Sequence, residues 1–232
     1  LNKDNLYIHA DDYGLTTGIT HSLDGLIKDG CINSVSVIAN GYDNFNFNFN
    51  LFKDIRICAH INIFENIPIS NKKNLKNILN NNERFRQSFV FYILVYYFSF
   101  RSKRKIIEQI GIEVEAQLID LSKMAGGFHN IKCIDSHNHI HMIPYIFDIF
   151  ADLCKKYKIE SIRTVREVYH LDFYKDNIFN TVFYIGLIKS FLLGFFTIIN
   201  RKSVKNNGLL TNKYFIGVLF SGRMSLDSIT KS

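Results

Sequence analysis

Ile131-Lys-Cys-Ile-Asp-Ser-His-Asn-His-Ile-His-Met-Ile-Pro144 is the stretch on which the reading of this chain turns. Ile131–Ile134 is a short β-prone run. It feeds directly into a polar junction, Asp135 to His141. Pro144 then suits the first turn of a helix, where its missing N–H leaves no bond unmade. Phe147, Phe150 and Cys154 share the apolar face of that helix. A strand that passes through a polar junction into a helix is half of a parallel βαβ unit.

The same alternation extends in both directions. Upstream, Ile107, Ile110, Val114, Leu118 and Leu121 recur at helical spacing until Gly126-Gly127. Downstream, Ser161–Val165 reads as a fifth strand. Near the start, Leu6–Ala10 is β-prone and ends at Asp11-Asp12-Tyr13-Gly14. Ile19, Leu23, Leu26 and Ile27 then form a helix face, with Gly30 as its stop. Ser34–Ala39, closed by Asn40-Gly41, and Ile55–Ile63, carrying His60, are two more strands. Asn44–Asn50 alternates by twos like a strand, yet its low complexity fits a connecting segment equally well. Residues 66–105 are the least legible; Phe89–Phe100 is apolar for 12 residues, too few to cross a bilayer. Residues 182–199 form an apolar run of 18 broken by Lys189. The length admits a membrane span, but a mid-span lysine and the glycines favour a buried or surface-docking amphipathic helix. Membrane association is therefore the less favoured expectation.

Composition sets the outer bounds. A chain of 232 residues with 47% hydrophobic and 21% charged residues can bury a core and is not a disordered tail. The formal charge of +7 could draw anionic partners. Its lysines are scattered, with short clusters at Arg101–Lys105 and Arg201–Lys205, and no nucleic-acid-binding signature accompanies them. The four cysteines, Cys31, Cys58, Cys133 and Cys154, form no Cys-x-x-Cys pair. Three lie in apolar runs and read as reduced core residues, which suits a cytoplasmic protein without a signal peptide. Oligomeric state is open, a homo-oligomer included.

Three polar clusters fall where predicted strands end: Asp11-Asp12, His60, and Asp135–His141. In parallel α/β sheets and barrels those ends open on one face, where active sites lie. Each cluster also has a plain structural reading. Adjacent aspartates after a strand serve equally as a turn or a helix cap, and one histidine in an apolar strand can be a hydrogen-bonded core residue. The third cluster is the most specific. If it is extended, Asp135, His137, His139 and His141 share one face, because side chains alternate with period two. Such crowding asks for a cation or a substrate. One carboxylate and two imidazoles can hold a divalent ion such as Zn²⁺ with positions left open. A second carboxylate alongside can act as general base toward water.

These motifs resemble the YdjC-like family, which includes the ChbG and HpnK carbohydrate deacetylases. Ala10-Asp-Asp-Tyr-Gly-Leu-Thr16 is similar to the family's opening, followed by Gly18-Ile19, Asn40-Gly41 and His60-Ile-Asn-Ile63. Asp135-Ser-His-Asn-His-Ile-His-Met-Ile-Pro144 is the most specific match. Arg163-x-x-Arg166-Glu167, Phe215-Ile-Gly217 and Ser221-Gly-Arg-Met224 follow in order. The resemblance implies one domain over 1–232 with a distorted, TIM-barrel-like (β/α) barrel. It implies removal of acetyl groups from an N-acetylated saccharide or glycolipid with a divalent metal, Mg²⁺ or Zn²⁺. By position, Asp12, His60 and His137 are the implied metal ligands and Asp11 the general base. His139, His141, Arg163 and Glu167 line or brace the site.

The family pattern continues to a strand ending in Glu-(x)n-His-Pro-Gly, whose histidine suits protonation of the leaving amine. No His-Pro occurs in this sequence. The expectation is a C-terminally incomplete barrel, open along one edge, with its activity in question. Two alternatives stand beside the deacetylase. One is an impaired family member that only binds metal or sugar. The other is a different two-histidine, one-carboxylate enzyme, such as a non-haem iron oxygenase.

Overall fold

A computed structural model describes residues 6–43, 47, 49–86, 88–98, 103–168 and 181–219. Five parallel strands, β1 (His9–Tyr13), β2 (Ser34–Val37), β3 (Arg56–Ile61), β4 (Ile131–Ser136) and β5 (Ser161–Ile162), lie side by side in chain order. Helices α1 (Thr17–Lys28), α2 (Phe89–Phe98), α3 (Lys103–Met124), α4 (Pro144–Tyr157) and α5 (Thr181–Asn207) stand between or after them. The expected α/β class with parallel strands is what the chain adopts. Consecutive strand order is that of a (β/α) barrel; a doubly wound sheet reverses its order midway. Past β5, Leu210 and Phe215 make further parallel bridges, to Ser161 and Glu167.

Strand register divides the sheet into two unlike faces. Val35, Ile57, Ala59, Ile61, Ile134 and Ile162 point one way and are buried in the same core as Ile110, Val114 and Leu118 of α3 and Phe147 and Phe150 of α4. The opposite face is polar, and pairing arranges it in rows. Ser36, Cys58, Cys133 and Ser161 stand in register across β2 to β5, and His60 stands beside Asp135 one step further along. Period-two alternation alone produces this division.

Local signals explain the helix ends. Thr16 caps α1 through a bond from the Ile19 amide to its hydroxyl, and Gly30 follows in the left-handed region, φ 67°. Pro144 opens α4. Several boundaries differ from the expectation. β1 begins later than Leu6 and carries both aspartates within it, and β5 is only two residues long. The poorly legible stretch yields a 3-10 turn at Lys72–Asn74 and the helix α2. Most of Asn44–Asn50, Arg101 and Ser102, and Ser221–Met224 lie outside the described residues.

The apolar run at 182–199 is part of α5. Residues Phe183–Asn207 are long and apolar enough to cross a membrane by length and composition. One face nevertheless belongs to the fold. Leu193, Phe196 and Asn200 are buried, Thr197 Oγ1 donates to the Val165 carbonyl (2.7 Å), and Asn200 Nδ2 donates to the Met142 carbonyl (2.9 Å).

Candidate metal centre

The site forms where β1, β3 and β4 end. Alternation would send Asp11 and Asp12 to opposite faces. A β-bulge intervenes between Ala10 and Tyr13, and Asp12 takes a left-handed backbone, φ 68°. A bulge re-aims side chains in this way, and strain of this kind gathers at functional positions. The turn is tied by the Leu15 amide to the Asp12 carbonyl (3.0 Å) and by the Tyr42 amide to the Leu15 carbonyl (2.7 Å). Gly41 permits this contact, because a Cβ there would stand 1.8 Å from the Gly14 carbonyl oxygen.

Asp12, His60 and His137 converge, with one potential ligand atom from each within 4.8 Å of the others. Asp12 Oδ1 lies 2.7 Å from His137 Nδ1 and 3.3 Å from His60 Nε2. Behind His60, its Nδ1 hydrogen-bonds Asp135, the neighbour that strand register places beside it. Asp135 is fully buried. It accepts from Ser36 Oγ (2.6 Å) and ion-pairs with Arg163, whose Nε lies 3.1 Å away. Arg163 Nη1 donates to Asp11 Oδ1 (2.7 Å), and His9 Nε2 approaches the same carboxylate at 3.2 Å. Asp11, His60 and Asp135 form a second group of the same compactness.

Charge follows from this crowding. Burial opposes ionisation of Asp11, but the Arg163 guanidinium and His9 outweigh it and hold the carboxyl well below its ordinary range. Burial also disfavours a charged Asp12, yet its bonds to His137 and His60 lower it. For His60, burial alone would favour the neutral ring. Asp135, with Asp12 and Asp11, reverses that and pushes the imidazole up to about 10. A set of carboxylates that holds a proton so firmly on a buried imidazole favours a cation at the same place. One carboxylate and two imidazoles, one of them oriented by a buried acid, match the donor chemistry of a divalent metal site. The residues fit such an ion.

The histidine run does not lie extended. After Ser136 the chain enters a 3-10 turn in which Asn138 (φ 56°) and His139 (φ 60°) are left-handed. Asp135, His137, His139 and His141 therefore do not share one face, which corrects the period-two reading. His137 reaches Asp12 through Nδ1 and Glu65 through Nε2 (3.2 Å). His139 packs edge-on to Phe215, and its buried Nδ1 has no hydrogen-bond partner among the described residues. His141 turns inward and bridges Ser136 Oγ (2.7 Å) and the Arg163 carbonyl (2.9 Å). Burial lowers its pKa to about 4 and keeps it neutral. Glu167 accepts from the Gly217 (2.9 Å) and Val218 (3.1 Å) amides.

Sequence reasoning missed His9, Ser36 and Glu65. Only the alternation of His9 with Asp11, and of Ser36 with Ser34, hinted that these strands carry a polar face. Glu65 follows His60 by five residues in a loop and had no periodic signal at all.

A sequence profile described as "YdjC-like protein" matches residues 5–232. The chain belongs to the YdjC-like family. Among curated relatives of this YdjC-like chain, a carbohydrate deacetylase of Oceanobacillus iheyensis is 28% identical over 159 residues, 66% of this chain and 61% of its own length. One from Thermoanaerobacter pseudethanolicus is 24% identical over 156 residues, 66% of this chain and 58% of its own. The YdjC-like chain thus spans about three fifths of the length of these relatives. Its fold is similar to the crystal structure of a protein from Enterococcus faecalis V583 named for cellobiose-phosphate cleavage. The TM-score is 0.54 at 14% identity, over 88% of this chain and 94% of that one.

Proposed function

We propose that this chain is a metal-dependent carbohydrate N-deacetylase, a hydrolase that removes the acetyl group from an N-acetylated saccharide or glycolipid. The observation that carries this reading is the meeting of Asp12, His60 and His137 beside a second carboxylate, Asp11. Relatives named carbohydrate deacetylases support the reaction class. Asp12, His60 and His137 are the ligands of a divalent ion, Mg²⁺ or Zn²⁺. Such an ion supplies acidification of a water and polarisation of the amide carbonyl.

The protein's own groups do the rest. Asp11, kept ionised by Arg163, takes a proton from water as general base. Asp135 holds the Nδ1 proton of His60 and so directs the Nε2 lone pair into the site. His139 and Arg163 line the substrate side, supported by the unbonded His139 Nδ1 and Arg163 Nη2. His141 and Glu167 brace the loops around them. Residues 1–232 act as one domain, supported by the large core cluster that joins the sheet to α3 and α4. Three buried, free cysteines support a reducing, cytoplasmic setting.

The five parallel strands stand against the iron-oxygenase alternative, whose scaffolds are usually all-β. The test is acetate release from N,N'-diacetylchitobiose with Zn²⁺, Mg²⁺ or Co²⁺ added. Metal-dependent release that chelation abolishes is expected. A folded, metal-binding chain that releases no acetate with any of the three would reduce the reading to a binder of metal or sugar.

A further inference from the structure

Helix α5 presents two unlike faces. The inner one is held to the fold through Leu193, Phe196, Thr197 and Asn200. On the outer one, Ile185 (62%), Ile188 (69%), Phe195 (58%) and Ile198 (59%) are mostly exposed, with Ile199 beside them at 42%. The spacing from 185 to 188, 195, 198 and 199 keeps these side chains on one stripe of an α-helix, about 21 Å long at its rise per residue. Lone exposed apolar residues need no explanation, whereas an aligned row of isoleucines and a phenylalanine marks a contact surface.

Charge says what that surface meets. The stripe runs into Lys202, which continues the same helical row, with Arg201 and Lys205 exposed beside it. None of the three makes an ion pair among the described residues. No acidic residue occurs between Asp176 and Asp227, while Lys189, Arg201, Lys202, Lys205, Lys213 and Arg223 do. An apolar row with a purely cationic end suits an interface that is greasy inside and negative outside. A second copy of this chain would bring the same positive charges against it.

We propose that the outer face of α5 docks on a membrane surface carrying anionic lipids. The helix lies in the interface plane with Ile185, Ile188, Phe195 and Ile198 among the acyl chains, and Arg201, Lys202 and Lys205 on the headgroup phosphates. It does not cross the bilayer, because Thr197 and Asn200 tie its inner face to Val165 and Met142 of the fold.

Co-sedimentation of the full chain with vesicles tests this directly. The chain should pellet with phosphatidylcholine vesicles that contain phosphatidylglycerol and far less with phosphatidylcholine alone, and added salt should weaken binding. Lys202→Glu with Lys205→Glu should lower affinity by at least about fivefold per charge. Ile188→Glu with Phe195→Glu should abolish binding while circular dichroism remains that of the parent, since both side chains lie outside the core. A parent chain that stays in the supernatant with either vesicle overturns the proposal, as does binding that ignores the Ile188→Glu, Phe195→Glu exchange. So does light scattering showing a dimer that this exchange dissociates, which would assign the stripe to a second copy.

Discussion

The two faces of the central sheet are made by the same five strands, yet they do opposite work. On one, Val35, Ile57, Ile61, Ile134 and Ile162 bury apolar surface under helices and carry no chemistry. On the other, Ser36, His60, Asp135 and Arg163 are as well buried but bond one another through side chains. Titratable groups that satisfy each other through side chains, at strand ends open to Asp11 and Asp12, hold charge that a ligand can use. The network around Glu113 shows the contrast. This buried carboxylate accepts the Ile69 and Ser70 amides, both at 2.9 Å, so its bonds are spent on the fold. The difference teaches that the partner of a buried polar group distinguishes machinery from scaffold better than its burial does.

That contrast can be broken at either face. The largest effect is expected for Asp12→Asn or His137→Ala, each of which should abolish metal retention and acetate release while the metal-free chain stays folded. Metal content after gel filtration checks this, and an ion retained by His137→Ala would remove that residue from the ligand set. Ile134→Ala, on the apolar face, should cost about 2–5 kcal/mol in urea unfolding through the cavity it leaves. Metal affinity should hardly move.

His141 sharpens the comparison, because this buried titratable ring stacks on Phe147 and Phe150 and spends its bonds on Ser136 and the Arg163 carbonyl. Folded, it takes a proton only near pH 4, whereas its ordinary value is 6.5. Between these the unfolded chain binds more protons, so stability rises with pH through the window. Its contribution is complete above about pH 6.5 and is lost as pH falls toward 4, a change of roughly 3 kcal/mol. Urea midpoints of the metal-free chain across that range, compared with His141→Asn, measure it; equal pH slopes would sink the assignment. The smallest effect is expected from Asp135→Asn, which keeps the shape behind His60 but removes the charge that orients it. Metal affinity by titration calorimetry should fall about 10–100-fold.

Much of the fold was legible in the order of residues. Period-two and helical spacing located all five strands and α1, α3 and α4, because burying one face of an element leaves a local imprint. Placing Asp11, Asp12, His60 and His137 at strand ends needed only that alternation and the rule that parallel strands open on one face. The segment 66–105 was illegible because its order comes from long-range bonds, such as Glu113 to Ile69 and Ser70, and not from its own periodicity.

The sequence by itself determined the alternation of elements, the polar ends of β1, β3 and β4, and the family. Only the tertiary structure decided where each histidine of the Asp135–His141 run points. Two left-handed residues, Asn138 and His139, send His137 toward Asp12 and His141 into the interior. Backbone turns of that kind depend on what packs around them, so they leave no periodic trace. The same holds for Glu65, which long-range packing alone brings to His137.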